Sequence, residues 1–492
     1  MISKLKSLSK ETAIYGSSIV LGRFLNFLLT PLYTNFIPEQ GLSFIFYIYS
    51  TLAFINIAYS LGMETAFFRF SKNEDTKFDR QNLIKVVFSN SYLTIFLFSI
   101  VNSSLIILFS DKIAPFFSLY NATPELIRYI AFLPMLDALV LIPFAYLRIT
   151  NQALKFSVLR FFAILLNVVF NVITVSILKM EVKGVILSNV YSSALTLLIF
   201  SPLIYKNLII KIDFKLIKQM VIFALPTIPA SFAAIILQVA DRQIMEFIAP
   251  QYLAIYGVNY RLGIPMMMLV SMFEYAWKPF YLNHFKDPDA SLIFSKALTY
   301  FTYISMLLII FWTLSLDFIV KVPFFGGKLI NPIYWKGLSL VPIVLFGYYF
   351  NGVFTNLTAG FIIEKQTKYL PIAVGISAVL NIILNFILIP KFTYIGAAWA
   401  TFWAYLLEAL IIYYYAMKIY PIKYELKKIL TLISLTGLII AINSYFTFNF
   451  QSSLILLFVF RLFLIIIFSI LLYIFGIINK FDFKFLNKIF KP

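Results

Sequence analysis

Hydrophobic positions along this chain come in long unbroken runs, with polar residues gathered into short gaps between them. A membrane-crossing helix needs about 20 mostly apolar residues. Fourteen runs meet that need. They are Ala13–Ile37, Ser43–Phe68, Ile84–Phe109, Leu126–Leu147, Ser157–Leu178, Gly184–Tyr205 and Met220–Ile248, then Leu253–Phe280, Leu292–Leu316, Gly337–Ile363, Tyr369–Ile389, Ile395–Met417, Ile429–Phe448 and Leu454–Ile478. None shows the two-residue alternation that an outer-membrane barrel requires. The gaps are too short to fold as separate domains. The longest, around Asp317–Lys336, holds Pro323, Gly326, Gly327 and Pro332 and reads as a turn-rich connection.

The pattern repeats. Segment five contains Leu166-Asn167-Val168-Val169-Phe170-Asn171, and segment eleven contains Leu380-Asn381-Ile382-Ile383-Leu384-Asn385. Each is followed by a short break and a glycine opening the next segment, Gly184 and Gly396. Phe36-Ile37-Pro38 is echoed in the same way by Ile248-Ala249-Pro250. The offset is six segments, an even number. Both halves therefore insert the same way up, related by an axis along the membrane normal. The Asn pairs lie four apart on one helix face and are read first as hydrogen-bonding groups between helices. The expected architecture is an all-α polytopic membrane protein of about 14 transmembrane helices. Residues 1–206 form an N-terminal lobe and 207–219 a cytoplasmic linker. Residues 220–417 form a C-terminal lobe, and 418–492 carry two further helices and a basic tail.

Charge then sets the orientation. With the N-terminus inside, 28 of the 40 Lys and Arg residues fall in inside segments and 8 in outside segments. Four remain within helices: Arg23, Arg242, Arg261 and Arg461. Basic residues concentrate on the cytoplasmic side of membrane proteins, so this split places both termini in the cytoplasm. It also accounts for the net charge of +19 without a nucleic-acid partner. The first apolar run is too long for a signal-peptide core, and it reads as an uncleaved helix.

Composition agrees. The chain is 61% hydrophobic and 12% charged, with a mean hydropathy of +0.91. There is no cysteine and one histidine, His284, which excludes disulfides, thiolate chemistry and a His-rich metal site. No Gly-x4-Gly-Lys-Ser/Thr motif is present, so no ATP motor is built in. No long acidic outside loop is present, as a membrane glycosyltransferase or polymerase would need. No cofactor is expected.

Charges inside the membrane are costly and face a cavity or a partner. Most here lie in segments one, two, seven and eight, the first two of each repeat. Arg23 and Arg261 are the candidate anion-binding groups, because a guanidinium stays charged and forks onto phosphate oxygens. Arg261 is also open to snorkelling or to pairing with Glu274. Asn26, Thr30, Asn56, Ser60, Ser231 and Gln238 are expected to line an aqueous cavity, with helix–helix hydrogen bonding as the alternative. Glu64, Asp137 and Asp241 are candidates for ion coupling. Arg242 and Glu246, four apart, either neutralise each other or, like Glu274, belong to the ion-coupling set. Arg461, outside the repeat, is read as paired or snorkelling. Pro31, Pro226, Pro229 and Pro265 predict bends in segments one, seven and eight.

These residues carry a resemblance. Ala240-Asp241-Arg242, followed by Leu253-Ala254-Ile255-Tyr256-Gly257, resembles bacterial polysaccharide flippases of the multidrug/oligosaccharidyl-lipid/polysaccharide exporter superfamily. Gly62-Met63-Glu64-Thr65-Ala66-Phe67-Phe68-Arg69-Phe70 and Ala276-Trp277-Lys278-Pro279-Phe280 are similar to the same group. The resemblance covers essentially the whole chain. It implies a flippase in the bacterial inner membrane, moving undecaprenyl-pyrophosphate-linked oligosaccharide for O-antigen or capsule assembly. It further implies a polysaccharide polymerase and chain-length regulator as partners. Related lipid II flippases hold the diphosphate with cavity arginines in helices one, two and eight. Arg23 and Arg261 match by helix, whereas segment two carries Glu64 deep and Arg69 only near its inner end. Lipid II transport and cation-coupled drug export on the same fold are the alternatives.

Overall fold

In the computed structural model, residues 2–72, 80–209, 212–449 and 454–474 are described. The basic tail expected at 475–492, with Lys77 and Lys211, lies outside them. The helices in chain order are α1 (Ile2–Phe36), α2 (Glu39–Ser60), α3 (Met63–Phe70), α4 (Arg80–Leu108), α5 (Ser110–Ile113) and α6 (Pro124–Ile149). Next come α7 (Ala153–Asn171), α8 (Glu181–Asn207), α9 (Phe214–Ala224), α10 (Thr227–Ile248), α11 (Leu253–Arg261) and α12 (Ile264–His284). The last five are α13 (Ala290–Ile319), α14 (Val341–Ile363), α15 (Tyr369–Ile419), α16 (Leu426–Asn449) and α17 (Leu454–Ile474).

Every apolar segment maps onto this series. Nine helices among the described residues are long and apolar enough to cross a membrane, and two bent pairs raise the number to eleven. The pairs are α9 with α10, bent by 43°, and α11 with α12, bent by 46°. The first bend falls at Leu225 and Pro226. The second falls at Leu262 and Gly263, with Pro265 in the first turn of α12. These are the places where proline removes a backbone donor. Segment seven starts at Phe214 rather than Met220, inside the stretch expected as linker. Asp213 caps α9 there by accepting from the backbone N–H of Lys215 and Leu216, both at 3.0 Å. The 51 residues of α15 would span about 76 Å at about 1.5 Å each, far more than a bilayer. The helix turns back at Thr393, whose φ is +52°, and so contains segments eleven and twelve. The long loop after α13 holds a small antiparallel hairpin, Pro323 opposite Lys328.

The repeat is visible in three dimensions. Asn171 Nδ2 donates to the Asn167 carbonyl at 2.8 Å, and Asn385 Nδ2 donates to the Asn381 carbonyl at 2.9 Å. A Cβ on Gly184 would lie 3.1 Å from the backbone of Thr174. One on Gly396 would lie 2.2 Å from the Leu388 carbonyl oxygen. Each glycine lets a new helix start against the last turn of the previous one. The Phe-Ile-Pro echo marks the turn from α1 to α2 and from α10 into α11. Across the midline the halves meet in two crossed pairs, α1 on α12 and α2 on α10. That is segment one on eight and two on seven, the pairing an axis along the membrane normal produces. α16 and α17 pack on α13, outside this arrangement.

The packing inverts that of a soluble protein. Leu97, Val101 and Leu105 on α4 and Leu462, Ile466 and Ile470 on α17 are exposed. Buried polar groups sit between helices, among them Ser89, Asn90, Thr302 and Thr436. Lipid replaces water around the apolar faces, so close helix contacts rely on small residues. Gly257 is one: a Cβ there would meet the Phe46 ring at 2.3 Å, so α11 approaches α2 only as glycine.

Candidate functional site

A cavity of about 510 Å³ lies between the halves, where α1 and α2 face α10, α11, α12, α14 and α15. Its wall carries Arg23, Gln238, Arg242, Arg261, Glu274 and Glu408. The bends place several of these. Arg261 ends α11 at its break from α12, and Arg242 lies on α10, the longer arm of the other bent pair.

The three arginines differ in their bonding. Arg23 Nη1 donates to the Met267 carbonyl at 3.0 Å and to Ser271 Oγ, which ties α1 to α12. Arg242 Nη1 donates to the Gln238 carbonyl at 2.7 Å and lies 3.5 Å from Asp241 Oδ1. Its guanidinium also sits 4.6 Å from the Tyr260 ring centre. Arg261 stands against the rings of Phe46 and Tyr33, at 4.9 and 5.7 Å. It makes no hydrogen bond or ion pair among the described residues, and none with Glu274. Ring faces attract a cation but leave its N–H donors unused.

Arg242 and Glu246 do not form the expected i,i+4 pair. Arg242 turns to its neighbour Asp241 and to its own helix, while Glu246 accepts from Tyr120 in the connection between α5 and α6. Asp241 is buried and fully engaged. One oxygen accepts from the Arg242 backbone at 2.7 Å and the other from the Tyr256 hydroxyl. Glu64 lies off the cavity wall and pairs with Arg148 at 2.6 Å. Asp137 accepts from Ser193 at 2.9 Å.

Of the six polar residues expected to line the cavity, Gln238 does so. Ser60 and Ser231 instead donate to carbonyls of their own helices, Ile57 and Thr227. Thr30 and the Asn56 side-chain oxygen are buried away from it, and Asn26 is exposed elsewhere on α1. A short hydroxyl can satisfy itself on the preceding turn, so its presence on a helix does not mark a wet face. Sequence reasoning missed Asn351 and the tyrosines Tyr348 and Tyr405, which come from segments ten and twelve. Glu408, a lone carboxylate inside segment twelve, was the available signal.

Arginine and carboxylate groups around a cavity between two repeated bundles define a multi-pass membrane protein with a transporter fold. The polysaccharide biosynthesis protein family matches residues 42–328, more than half of the chain, and the chain belongs to that family. None of the curated proteins matches the sequence closely enough to count as a relative. Among solved structures, the chain is similar to the lipid II flippase MurJ in an inward closed conformation. The TM-score is 0.70 at 16% identity, covering 95% of this chain and 100% of that one. An inward-facing multidrug resistance MATE family transporter of the MOP superfamily gives a TM-score of 0.58 at 13% identity, covering 86% and 99%. A MOP superfamily transporter from Pyrococcus furiosus, described as having a binding pocket of reversed polarity, gives 0.55 at 13%, covering 84% and 95%.

Proposed function

We propose that the chain carries a pyrophosphate-linked, lipid-anchored oligosaccharide across the bacterial cytoplasmic membrane by alternating access. Both termini are in the cytoplasm, and the product serves surface polysaccharide assembly, such as O-antigen or capsule. The observation that carries this reading is Arg261, a guanidinium in the central cavity with rings beside it and no hydrogen-bonding partner among the described residues. Charge inside a membrane protein persists where it serves a pathway, and unused guanidinium donors suit phosphate oxygens. Arg23 and Arg242 add positive charge on the same wall. Arg23 would exchange its α12 partners for the substrate. The family supports polysaccharide assembly as the setting.

The protein makes and breaks no covalent bond in this account. The glycan crosses through the cavity while the lipid tail stays in the bilayer. An inside-negative potential favours export of an anionic head by about 2.3 kcal/mol per charge per 100 mV. A polymerase and a chain-length regulator would act on the exported unit. Lipid II transport is the second reading, favoured by the near-complete overlap with the lipid II flippase fold. A strain lacking its own flippase separates the two. Restoration of surface glycan supports the first reading, and rescue of peptidoglycan synthesis alone supports the second. In either assay R261A, expressed at normal levels, is expected to fail. Full complementation by R261A would remove the anion-site basis of both.

A further inference from the structure

The C-terminal half of the cavity holds a polar group that a pyrophosphate does not explain. Glu408 on α15 is 2% exposed, yet it belongs to the cavity wall. Asn351 on α14 belongs to the same stretch of wall. The Glu408 Oε2 is buried and has no partner, and no basic group pairs with it among the described residues. A buried acceptor without a donor is unfavourable unless a ligand supplies one. An anion cannot, because it brings only acceptors. A sugar hydroxyl or an N–H group can.

Neighbouring groups fit the same ligand. Asn351 offers an amide, able to donate and accept, and Gln238 offers another across the cavity. Tyr405 and Phe354 supply ring surface on the same side, against which the C–H face of a pyranose packs. Carboxylate, amide and ring together are the chemistry of carbohydrate recognition, on the part of the wall built by α14 and α15. From this we infer that Glu408 and Asn351 form a glycan subsite. There they receive the hydroxyl or acetamido groups of the sugar next to the pyrophosphate. The inference rests on the reading that the arginines hold the pyrophosphate, and it assigns the two ends of the substrate head to different residues of one cavity.

Binding to the full-length protein in lipid nanodiscs tests it, with two probes: undecaprenyl pyrophosphate, and the same lipid bearing one N-acetylhexosamine. The wild type should prefer the glycosylated probe by about tenfold, since a site built for hydroxyl groups discriminates against a ligand lacking them. E408A and N351A should each bring that preference close to one, the glycosylated probe binding no better than the bare lipid to the same variant. E408Q, which keeps one acceptor, should retain part of it. R261A should weaken both probes alike. Thermal unfolding of each variant confirms that it is folded, and N351A serves if E408A is not. A folded E408A with undiminished preference overturns the inference, as does one that loses only a pH dependence of transport. A wild type that binds the bare lipid with no glycan preference overturns it too, while leaving the pyrophosphate site standing. A wild type that binds neither probe overturns the pyrophosphate reading itself.

Discussion

The two halves share a backbone plan and differ in what they give the cavity. In both, an Asn pair closes on its own helix, positive-φ residues (Lys179 and Glu181 in the first half, Thr393 in the second) break the chain, and a glycine follows close behind the break. Most of the charged and amide groups on the cavity wall come from the second half, with Arg23 and Ser50 the chief polar contributions of the first. The charges of segments two to six are spent elsewhere, Glu64 on Arg148 and Asp137 on Ser193. The repeat thus fixes the scaffold, while divergence between its copies makes the site. Conserved geometry and functional chemistry occupy different residues.

Substitutions can break this division, and the largest effect is expected at Arg261. Its removal takes away charge-assisted hydrogen bonds worth about 1.5–3 kcal/mol, so transport should fall by about 10- to 100-fold, with R261K falling less. Quantifying surface glycan at matched expression checks it. The junction glycines come next and compare the halves directly. G396A forces a Cβ to 2.2 Å from the Leu388 carbonyl oxygen, whereas G184A brings one to 3.1 Å from Thr174, which a shift of a few tenths of an ångström relieves. Overpacking costs about 1–3 kcal/mol, so G396A should lower the unfolding temperature clearly and G184A only slightly. Equal losses would show that the two junctions are not packed as described.

A smaller effect is expected where α10 crosses α2 and Gln243 Nε2 donates across the midline to Ser50 Oγ at 2.7 Å and Thr51 Oγ1 at 2.8 Å. Q243A removes bonds of about 1 kcal/mol each between the halves and should favour their separation at this crossing. Since the chain has no cysteine, a single cysteine introduced at Tyr47, whose side chain takes no part in these bonds, reports this opening as faster thiol labelling, without background. The least effect is expected for E64A. Its pair with Arg148 is half exposed, and such pairs contribute about 0–1 kcal/mol, so stability should be nearly unchanged.

The scaffold was legible because its signals are local or periodic. Fourteen apolar runs, two Asn-x3-Asn pairs and two glycines all survive as sequence. The bends followed from Pro226 and Pro265. The site was less legible, since a helix of serines and threonines looks wet on paper. Ser60 and Ser231 show why: each bonds its own helix and needs no water. Arg242 shows the other failure, in which an i,i+4 spacing with Glu246 suggested a pair that the neighbouring Asp241 forms instead. Asn351, Tyr348 and Tyr405 reach the cavity only through the packing of α14 on α15, which no single segment encodes. The intramembrane arginines were the dependable marks, because their cost cannot be met locally.

The account stands on the central cavity taking an anionic head group through Arg261. The direct measurement is translocation of a fluorescent lipid-linked oligosaccharide pyrophosphate by purified protein in sealed vesicles. Wild type is compared with R261A and with R128A, whose arginine lies on α6 in contact with Asp111 at 3.6 Å, away from the cavity. The prediction is movement by wild type and R128A at similar rates and movement slowed by about 10- to 100-fold in R261A. Movement by a folded R261A at the wild-type rate would contradict it.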